Sequence, residues 1–271
     1  MNQEELKKIV NEIHLRTSVK PLYGLILGSG LGSLAEEVQS PTVIPYHELV
    51  GFPTSTAPGH AGNFVIGSLC EKPVIMMQGR FHTYEGYTQQ EVALPVAVMH
   101  QLGVETLLVT CAAGGLNYNY KAGDLMLIRD HINFTGGNPL VGPNDDSIGP
   151  RFPVMFDAYT PELRQLAHEV AISQGIRLHE GVHCGVTGPV FFTPAELRML
   201  MQWGSDTIGM STVPEVIVAV HRGLKVLGLA LVSDIAIPDS GEHATGDEVL
   251  KVVQESSHMF RTLVKGIMEK I

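Results

Sequence analysis

Arg80, His82 and Tyr84 are the side chains whose types and spacing first point to chemistry. They lie in the octapeptide Gly79-Arg80-Phe81-His82-Thr83-Tyr84-Glu85-Gly86, directly after the apolar run Val74-Ile75-Met76-Met77, which reads as a buried strand. In an extended strand alternate side chains share a face, so Arg80, His82 and Tyr84 project together while Phe81 and Thr83 point away. A guanidinium fork, a ring donor and a phenol on one side can hold an anionic oxygen group beside a hydroxylated one, as a phosphate next to a sugar would present. The same three groups would equally suit the solvated face of an edge strand.

Four other segments carry similar signals. The apolar run 22–27 leads into Gly28-Ser29-Gly30-Leu31-Gly32, where glycines after a strand let backbone N–H groups and the Ser29 hydroxyl approach an anion. Taken alone, that loop is better explained as a tight structural turn, because it has neither the dinucleotide glycine spacing nor a Walker lysine. Ala57-Pro58-Gly59-His60-Ala61-Gly62 presents a histidine between glycines, and Thr110-Cys111-Ala112-Ala113-Gly114-Gly115 follows another apolar run. Its minimal side chains admit a flat ligand or an anion close to the backbone. Gly209-Met210-Ser211-Thr212-Val213-Pro214-Glu215 joins a strand to a helix start and so places Ser211 at a positive helix N-terminus. Other chemistries lack their signatures: there is no HExxH, no CxxC and no GxSxG.

The elements that must position these residues alternate between strand and helix. Strands are expected at 22–27, 65–69, 74–78, 106–110, 125–128, 181–186 and 226–232. Thr88 with Glu91, Thr193 with Glu196 and Thr212 with Glu215 have capping-box spacing. Thr160-Pro161 marks another helix start, and Gly103, Gly175, Gly204 and Gly223 fall where helices should end. Leu6, Ile9, Val10 and Ile13 form one helical stripe. Val249, Val252, Val253, Ser256, Phe260, Leu263, Val264 and Ile267 form a longer one. With no repeat, low-complexity tract or composition break, the expectation is one α/β domain over 1–271, a central mixed β-sheet flanked by helices. The irregular stretch 134–159 is long enough to suggest a functional or interfacial loop.

Bulk properties narrow the partners. The 271 residues are 44% hydrophobic, with a formal net charge of −10. Such a field disfavours nucleic acid and anionic membranes, and it requires any phosphate site to be a local positive pocket. No apolar run approaches the roughly 20 residues needed to span a bilayer. The first 20 residues lack a signal peptide's apolar region. Cys70, Cys111 and Cys184 each lie in apolar surroundings and read as buried thiols. These features together lead to the expectation of a cytoplasmic protein.

At these motifs the chain resembles the trimeric purine nucleoside phosphorylases of the nucleoside phosphorylase family. The resemblance runs nearly end to end, through GSGLG at 28–32, PGHAG at 58–62, GRFHTYEGY at 79–87 and AAGGLN at 112–117. It continues through GDLMLIRDHIN at 123–133, NPLVGPND at 138–145, DAY at 157–159 and GMSTVPEVIVA at 209–219. It implies a nucleoside phosphorylase-like fold and reversible phosphorolysis of purine (deoxy)ribonucleosides to base and (deoxy)ribose 1-phosphate. Phosphate is then a co-substrate, with no cofactor or metal, and the assembly a homotrimer. By resemblance, Ser29, His60, Arg80, His82, Ala112 and Ser211 would serve phosphate, and Glu85 would orient His82. Tyr84 and Met210 would lie against the ribose, Phe191 near the purine, and Phe152 at a neighbouring subunit's sugar site.

Three positions depart from that pattern. Members preferring 6-oxopurines carry glutamate where this chain has Phe192, which cannot accept a hydrogen bond from the base N1–H. Their asparagine is here Asp234, which can accept from a 6-amino group or, when protonated, donate to N7. Methylthioadenosine phosphorylases also carry aspartate there. The family's histidine for the 5′-hydroxyl aligns with Gly246, with His243 a substitute only if the preceding loop is displaced. These departures imply selectivity shifted towards 6-aminopurines, the alternatives being methylthioadenosine cleavage or ordinary inosine and guanosine cleavage. A nucleoside-binding protein without turnover, or a hydrolytic nucleosidase, would have little use for Arg80, His82, Tyr84 and Ser211 together.

Overall fold

A computed structural model describes residues 3–57, 59–239 and 245–271. His243, and Pro58 of the second glycine-flanked loop, lie outside the described residues. Among the described residues the strands are β1 (Tyr23–Leu27), β2 (Gln39–Pro45), β3 (Asn63–Leu69), β4 (Lys72–Gln78), β5 (Thr106–Gly115), β6 (Leu125–Phe134), β7 (Leu178–Val186), β8 (Thr207–Gly209) and β9 (Lys225–Ile235). The helices are α1 (Gln3–Arg16), α2 (Gln89–Val92), α3 (Leu94–Gln101), α4 (Pro161–Ser173), α5 (Pro194–Gln202), α6 (Val213–His221) and α7 (Gly246–Lys270).

The strands form one mixed sheet in the order β2-β3-β4-β1-β5-β8-β7-β6-β9, and β9 also pairs with β5. Strands β5, β8, β7, β6 and β9 therefore close on themselves, which removes an unpaired edge on that side. The parallel strands β4, β1 and β5 are covered on both faces, which is why they read as continuous apolar runs. Their side chains alternate between two cores. Ile26, Ile75, Met77, Leu107 and Val109 pack with α1, α3 and α6, whereas Leu25, Leu27, Val74, Met76 and Leu108 pack with α4 and α7.

Local signals hold at most, though not all, of the expected places. Thr88 and Glu91 form a capping box, as do Thr193 and Glu196. Gly103, Gly175, Gly204 and Gly223 have positive φ at helix ends. The C-terminal stripe becomes α7, with Val253, Phe260, Leu263, Val264 and Ile267 buried. Three expectations need correcting. Thr212 and Glu215 form no box. Thr160 precedes the proline at the start of α4, but its hydroxyl accepts from Val226 N at 3.0 Å instead of capping that helix. Cys70 is only half-buried at the β3–β4 turn, whereas Cys111 and Cys184 are buried.

Sheet topology itself opens the site. Strand β1 pairs with β5 only as far as Ile26 opposite Val109, and β5 then continues alongside β9 to Gly115. The carboxyl ends of β1 and β4 thus stop beside the continuing β5, leaving the crevice where ligands bind in open α/β sheets.

Candidate active site

The Gly28–Ser29 turn sits where it does because Thr110 ties two strands together. Thr110 Oγ1 donates to Ile26 O at 2.9 Å and accepts from Gly28 N at 3.2 Å. A Cβ on Gly28 would stand 2.9 Å from Cys111 Cα, so only glycine allows this approach. Ser29 is thereby brought to the cavity wall, its Oγ 3.0 Å from His60 Nε2. His60 stands behind Ser29 and stacks on His82 with ring centroids 5.3 Å apart. Burial first, and then the neighbouring His82 charge, lower its pKa to about 4, so the ring is neutral at physiological pH.

The strand expected to carry Arg80, His82 and Tyr84 ends at Gln78: the chain bends at Gly79, whose φ is 106°, and His82 is extended again. Phe81 points into an aromatic cluster, 5.1 Å from Tyr46, 5.6 Å from Phe52 and 5.7 Å from Tyr87. Tyr46 donates to Gly79 O at 2.8 Å. That clamp fixes the far side of the segment, so Arg80 and His82 face the cavity. Tyr84 departs from strand alternation: residues 83–85 form a 3₁₀ turn. The turn still returns its ring to His82, stacked at 4.5 Å and 16°. Burial raises the Tyr84 pKa to about 12, keeping the phenol neutral.

Glu85 closes the turn and orients His82. Its Oε1 accepts from His82 N at 2.8 Å and from His82 Nδ1 at 2.9 Å. Its Oε2 accepts from both N and Oγ1 of Thr56 at 2.7 Å. Burial pushes the Glu85 pKa up, but the hydrogen bonds from His82 and Thr56 outweigh it and hold the carboxyl at about 2. An ionised Glu85 only accepts, which places the proton of that bond on His82 Nδ1 and leaves Nε2 free of Glu85.

Arg80 is 1% exposed. Its Nη1 donates to Thr110 O at 2.6 Å and Ser211 Oγ at 3.0 Å, and its Nε lies 3.0 Å from Glu215 Oε1. Among the described residues Nη2 is buried without a hydrogen-bond partner, a donor that an anion could satisfy. Ser211 accepts from Arg80, so its own O–H can also donate to that anion. Thr212 next to it holds φ 77°, ψ −55°, and Val213 N donates to Ser211 O at 2.9 Å. This is a γ-turn of the rare, strained positive-φ kind, and it sets Ser211 at the N-terminus of α6.

The opposite end of the cavity is largely apolar. The space of about 270 Å³ is also lined by Val190, Phe191, Phe192, Leu197, Ile237 and Val249, together with Ala112 and Met210. Asp234 enters through an irregularity in the sheet: Ala113 pairs with Val232 but Gly114 with Asp234. Skipping Ser233 changes the phase of the strand and re-aims the next side chain. Burial raises the Asp234 pKa, an effect partly offset by a hydrogen bond from Ser233 at 2.7 Å. Gly246 also lines the cavity, with none of the described residues within 4 Å of where a Cβ would be.

The fold therefore brings Ser29, Arg80, His82, Tyr84, Ala112, Phe191, Phe192, Met210, Ser211 and Asp234 to one cavity. His60 and Glu85 support it from behind. Phe152 is not among the lining residues and is 83% exposed. Thr110 and Glu215 were missed from the sequence. Thr110 reads as an ordinary strand residue, and Glu215 as half of a capping box.

Known proteins are similar to this chain in sequence and fold. The Phosphorylase superfamily matches residues 22–269. Purine nucleoside phosphorylase 1 of Geobacillus stearothermophilus is 48% identical, the match covering 100% of this chain and 99% of that protein. The Mus musculus purine nucleoside phosphorylase is 47% identical over 94% of this chain and 91% of its own length. The crystal structure of Schistosoma mansoni purine nucleoside phosphorylase in complex with adenosine superposes with a TM-score of 0.95 at 42% identity, covering 100% of this chain and 98% of that one. The chain belongs to the phosphorylase superfamily and, within it, to the purine nucleoside phosphorylases.

Proposed function

We propose that the protein catalyses reversible phosphorolysis of purine nucleosides, with selectivity shifted towards 6-aminopurines. One observation carries the reading: a buried arginine with a free Nη2, a carboxylate-held histidine and a helix-terminal serine meet at one end of a cavity. Phe192 and a buried Asp234 line the other end.

Phosphate would lie against Ser29, Arg80, His82, the Ala112 backbone and Ser211, with His60 behind Ser29. Ribose would lie against Tyr84 and Met210, and the purine between Phe191, Phe192 and Asp234. In the forward direction the C1′–N9 bond breaks and a phosphate oxygen bonds to C1′. The bonding pair stays on the base, and the proton given up by hydrogen phosphate balances the one the base gains. Positive charge develops on the ribose as the base leaves. A phosphate held directly beneath it stabilises that charge and traps it, so catalysis is mainly positioning and electrostatics. The reaction asks for no organic cofactor or metal.

Base selectivity follows from the far end. Burial favours the protonated form of Asp234. That form can donate to N7 of the leaving purine while its second oxygen accepts from a 6-amino group. Phe192 offers nothing to the N1–H of hypoxanthine or guanine. Cleavage of 5′-methylthioadenosine is a second reading, favoured by the Gly246, Val249, Ile237 and Pro238 lining. The exposed Val141, Phe152, Val154 and Phe156 support a homotrimer in which Phe152 reaches a neighbour's sugar site. Among the described residues no helix is long and apolar enough to cross a membrane, and the cysteines are free, which fits a cytoplasmic protein.

The test is cleavage of inosine, guanosine, adenosine and 5′-methylthioadenosine, each with and without phosphate. Phosphate-dependent turnover with adenosine ahead of inosine is expected. Turnover without phosphate rejects phosphorolysis, and inosine well ahead of adenosine rejects the roles of Phe192 and Asp234.

A further inference from the structure

Thr-x-x-Glu occurs at four helix starts of this chain, and one of the four behaves differently. Thr88/Glu91, Thr193/Glu196 and Thr245/Glu248 form reciprocal capping boxes with exposed glutamates. At α6 the strained γ-turn takes Thr212 out of capping geometry, so Glu215 has no threonine to cap. Glu215 is instead 1% exposed, with Oε1 3.0 Å from Arg80 Nε. The Nε–H is not aimed at that oxygen, and among the described residues Arg80 Nε, Arg80 Nη2 and Glu215 Oε2 all lack hydrogen-bond partners. The contact is thus one of charge with charge, not a closed hydrogen-bonded fork.

We propose that Glu215 is the internal counter-ion of Arg80, a positioning residue that holds the guanidinium fixed in the phosphate-free protein and weakens the site's hold on phosphate. A buried arginine without a partner is strongly unfavourable. Thr110 O and Ser211 Oγ supply dipoles to Arg80 but no charge. Glu215 supplies the charge from the side away from the cavity. When a phosphate dianion arrives it meets an arginine already half-neutralised, with a carboxylate close behind. Binding then depends on directed donors more than on net charge, and the phosphate-bearing product is released more readily. The inference rests on the phosphorolysis reading for its consequence, but its geometry concerns anion binding alone.

The experiment compares wild type with Glu215→Gln, which keeps shape and removes charge. Arg80 keeps its Nη1 bonds in the variant. The KM for phosphate should fall at least about fivefold, because removing a buried negative charge strengthens the attraction of arginine for the dianion, while the nucleoside KM stays within about twofold. The Tm without phosphate should fall, and the rise in Tm on adding inorganic phosphate should be larger than in wild type, because the anion then supplies the charge Glu215 supplied. Damage to packing alone would raise the phosphate KM and shrink that response. A raised or unchanged phosphate KM, a phosphate-induced Tm rise no larger than wild type, or failure to fold even in saturating phosphate would each overturn the proposal. If wild type shows no phosphate-dependent turnover, the phosphorolysis reading fails first. The counter-ion role is then decided by the two Tm responses to inorganic phosphate.

Discussion

The two ends of the cavity are built on opposite principles. At the phosphate end nearly every side chain is held by another: Glu85 grips His82, and Thr110 and Ser211 both take Nη1 of the Arg80 fork. Glu215 stands behind that fork, and His60 backs Ser29. At the base end, Phe191 is 65% exposed and Phe192 is held by apolar packing and an edge contact with Phe134. Among the described residues Asp234 is hydrogen-bonded by Ser233 alone. Change is tolerated unequally at the two ends. A network of mutually oriented charges fails when any member moves, whereas a pocket of apolar walls and one carboxyl can be re-tuned by a single substitution. On the proposed reading the reaction is set at the first end and the choice of substrate at the second.

The comparison breaks most easily at Arg80. Arg80→Lys keeps the charge but loses the fork that spans Thr110 O, Ser211 and the cavity, and should lower kcat/KM for phosphate by about 10²–10³-fold. Steady-state kinetics with phosphate varied would show it. A loss under tenfold would mean that this end tolerates change after all.

Glu85→Gln should have the next largest effect, about 10- to 100-fold in kcat/KM, because the neutral amide no longer enforces the Nδ1–H form of His82. It also has a pH signature. The Glu85 carboxyl titrates near 2 in the folded chain against an ordinary 4.5, so the folded state holds that proton less tightly than the unfolded one. The stabilisation is complete above about pH 4.5 and is lost as pH falls towards 2. The gap in Tm between wild type and Glu85→Gln should therefore be widest near neutrality and close across that window.

At the base end, Asp234→Asn should move the ratio of adenosine to inosine kcat/KM by about tenfold towards inosine, with the phosphate KM nearly unchanged. A change in phosphate KM of similar size would erase the division between the two ends. The smallest effect is expected at Thr245→Ala, which removes the cap of α7 beside Gly246 and should cost about 1 kcal/mol in denaturant unfolding. Any kinetic change should appear in the nucleoside KM alone.

Much of this was legible in the sequence because local rules were obeyed. The buried strands announced themselves as apolar runs, Thr88 and Thr193 cap as their spacing predicts, and the glycine ends fall as expected. Strand β2 was not legible: it is mostly exposed and contains two prolines, so neither periodicity nor propensity marks it. Strand β8 is only three residues long. The failures inside the site have one cause, which is tertiary structure overriding a local pattern. Tyr84 turns back through a 3₁₀ turn where alternation predicts a strand, and Glu215 leaves the threonine that its spacing assigns to it. Thr110 matters because β1 and β5 separate there, and no single-strand pattern reveals such a parting. Phe152 is legible as a candidate for a neighbour's site only through resemblance, and on the single chain it stands in solvent.

The central claim is that the Arg80 end makes phosphate the nucleophile. The most direct measurement follows adenosine cleavage in phosphate-free buffer as inorganic phosphate is titrated in, with base released and phosphate consumed both quantified. The account predicts no base release without phosphate, and thereafter one phosphate consumed, as ribose 1-phosphate, for each adenine formed. Base release without phosphate, or with free ribose as the sugar product, would contradict it.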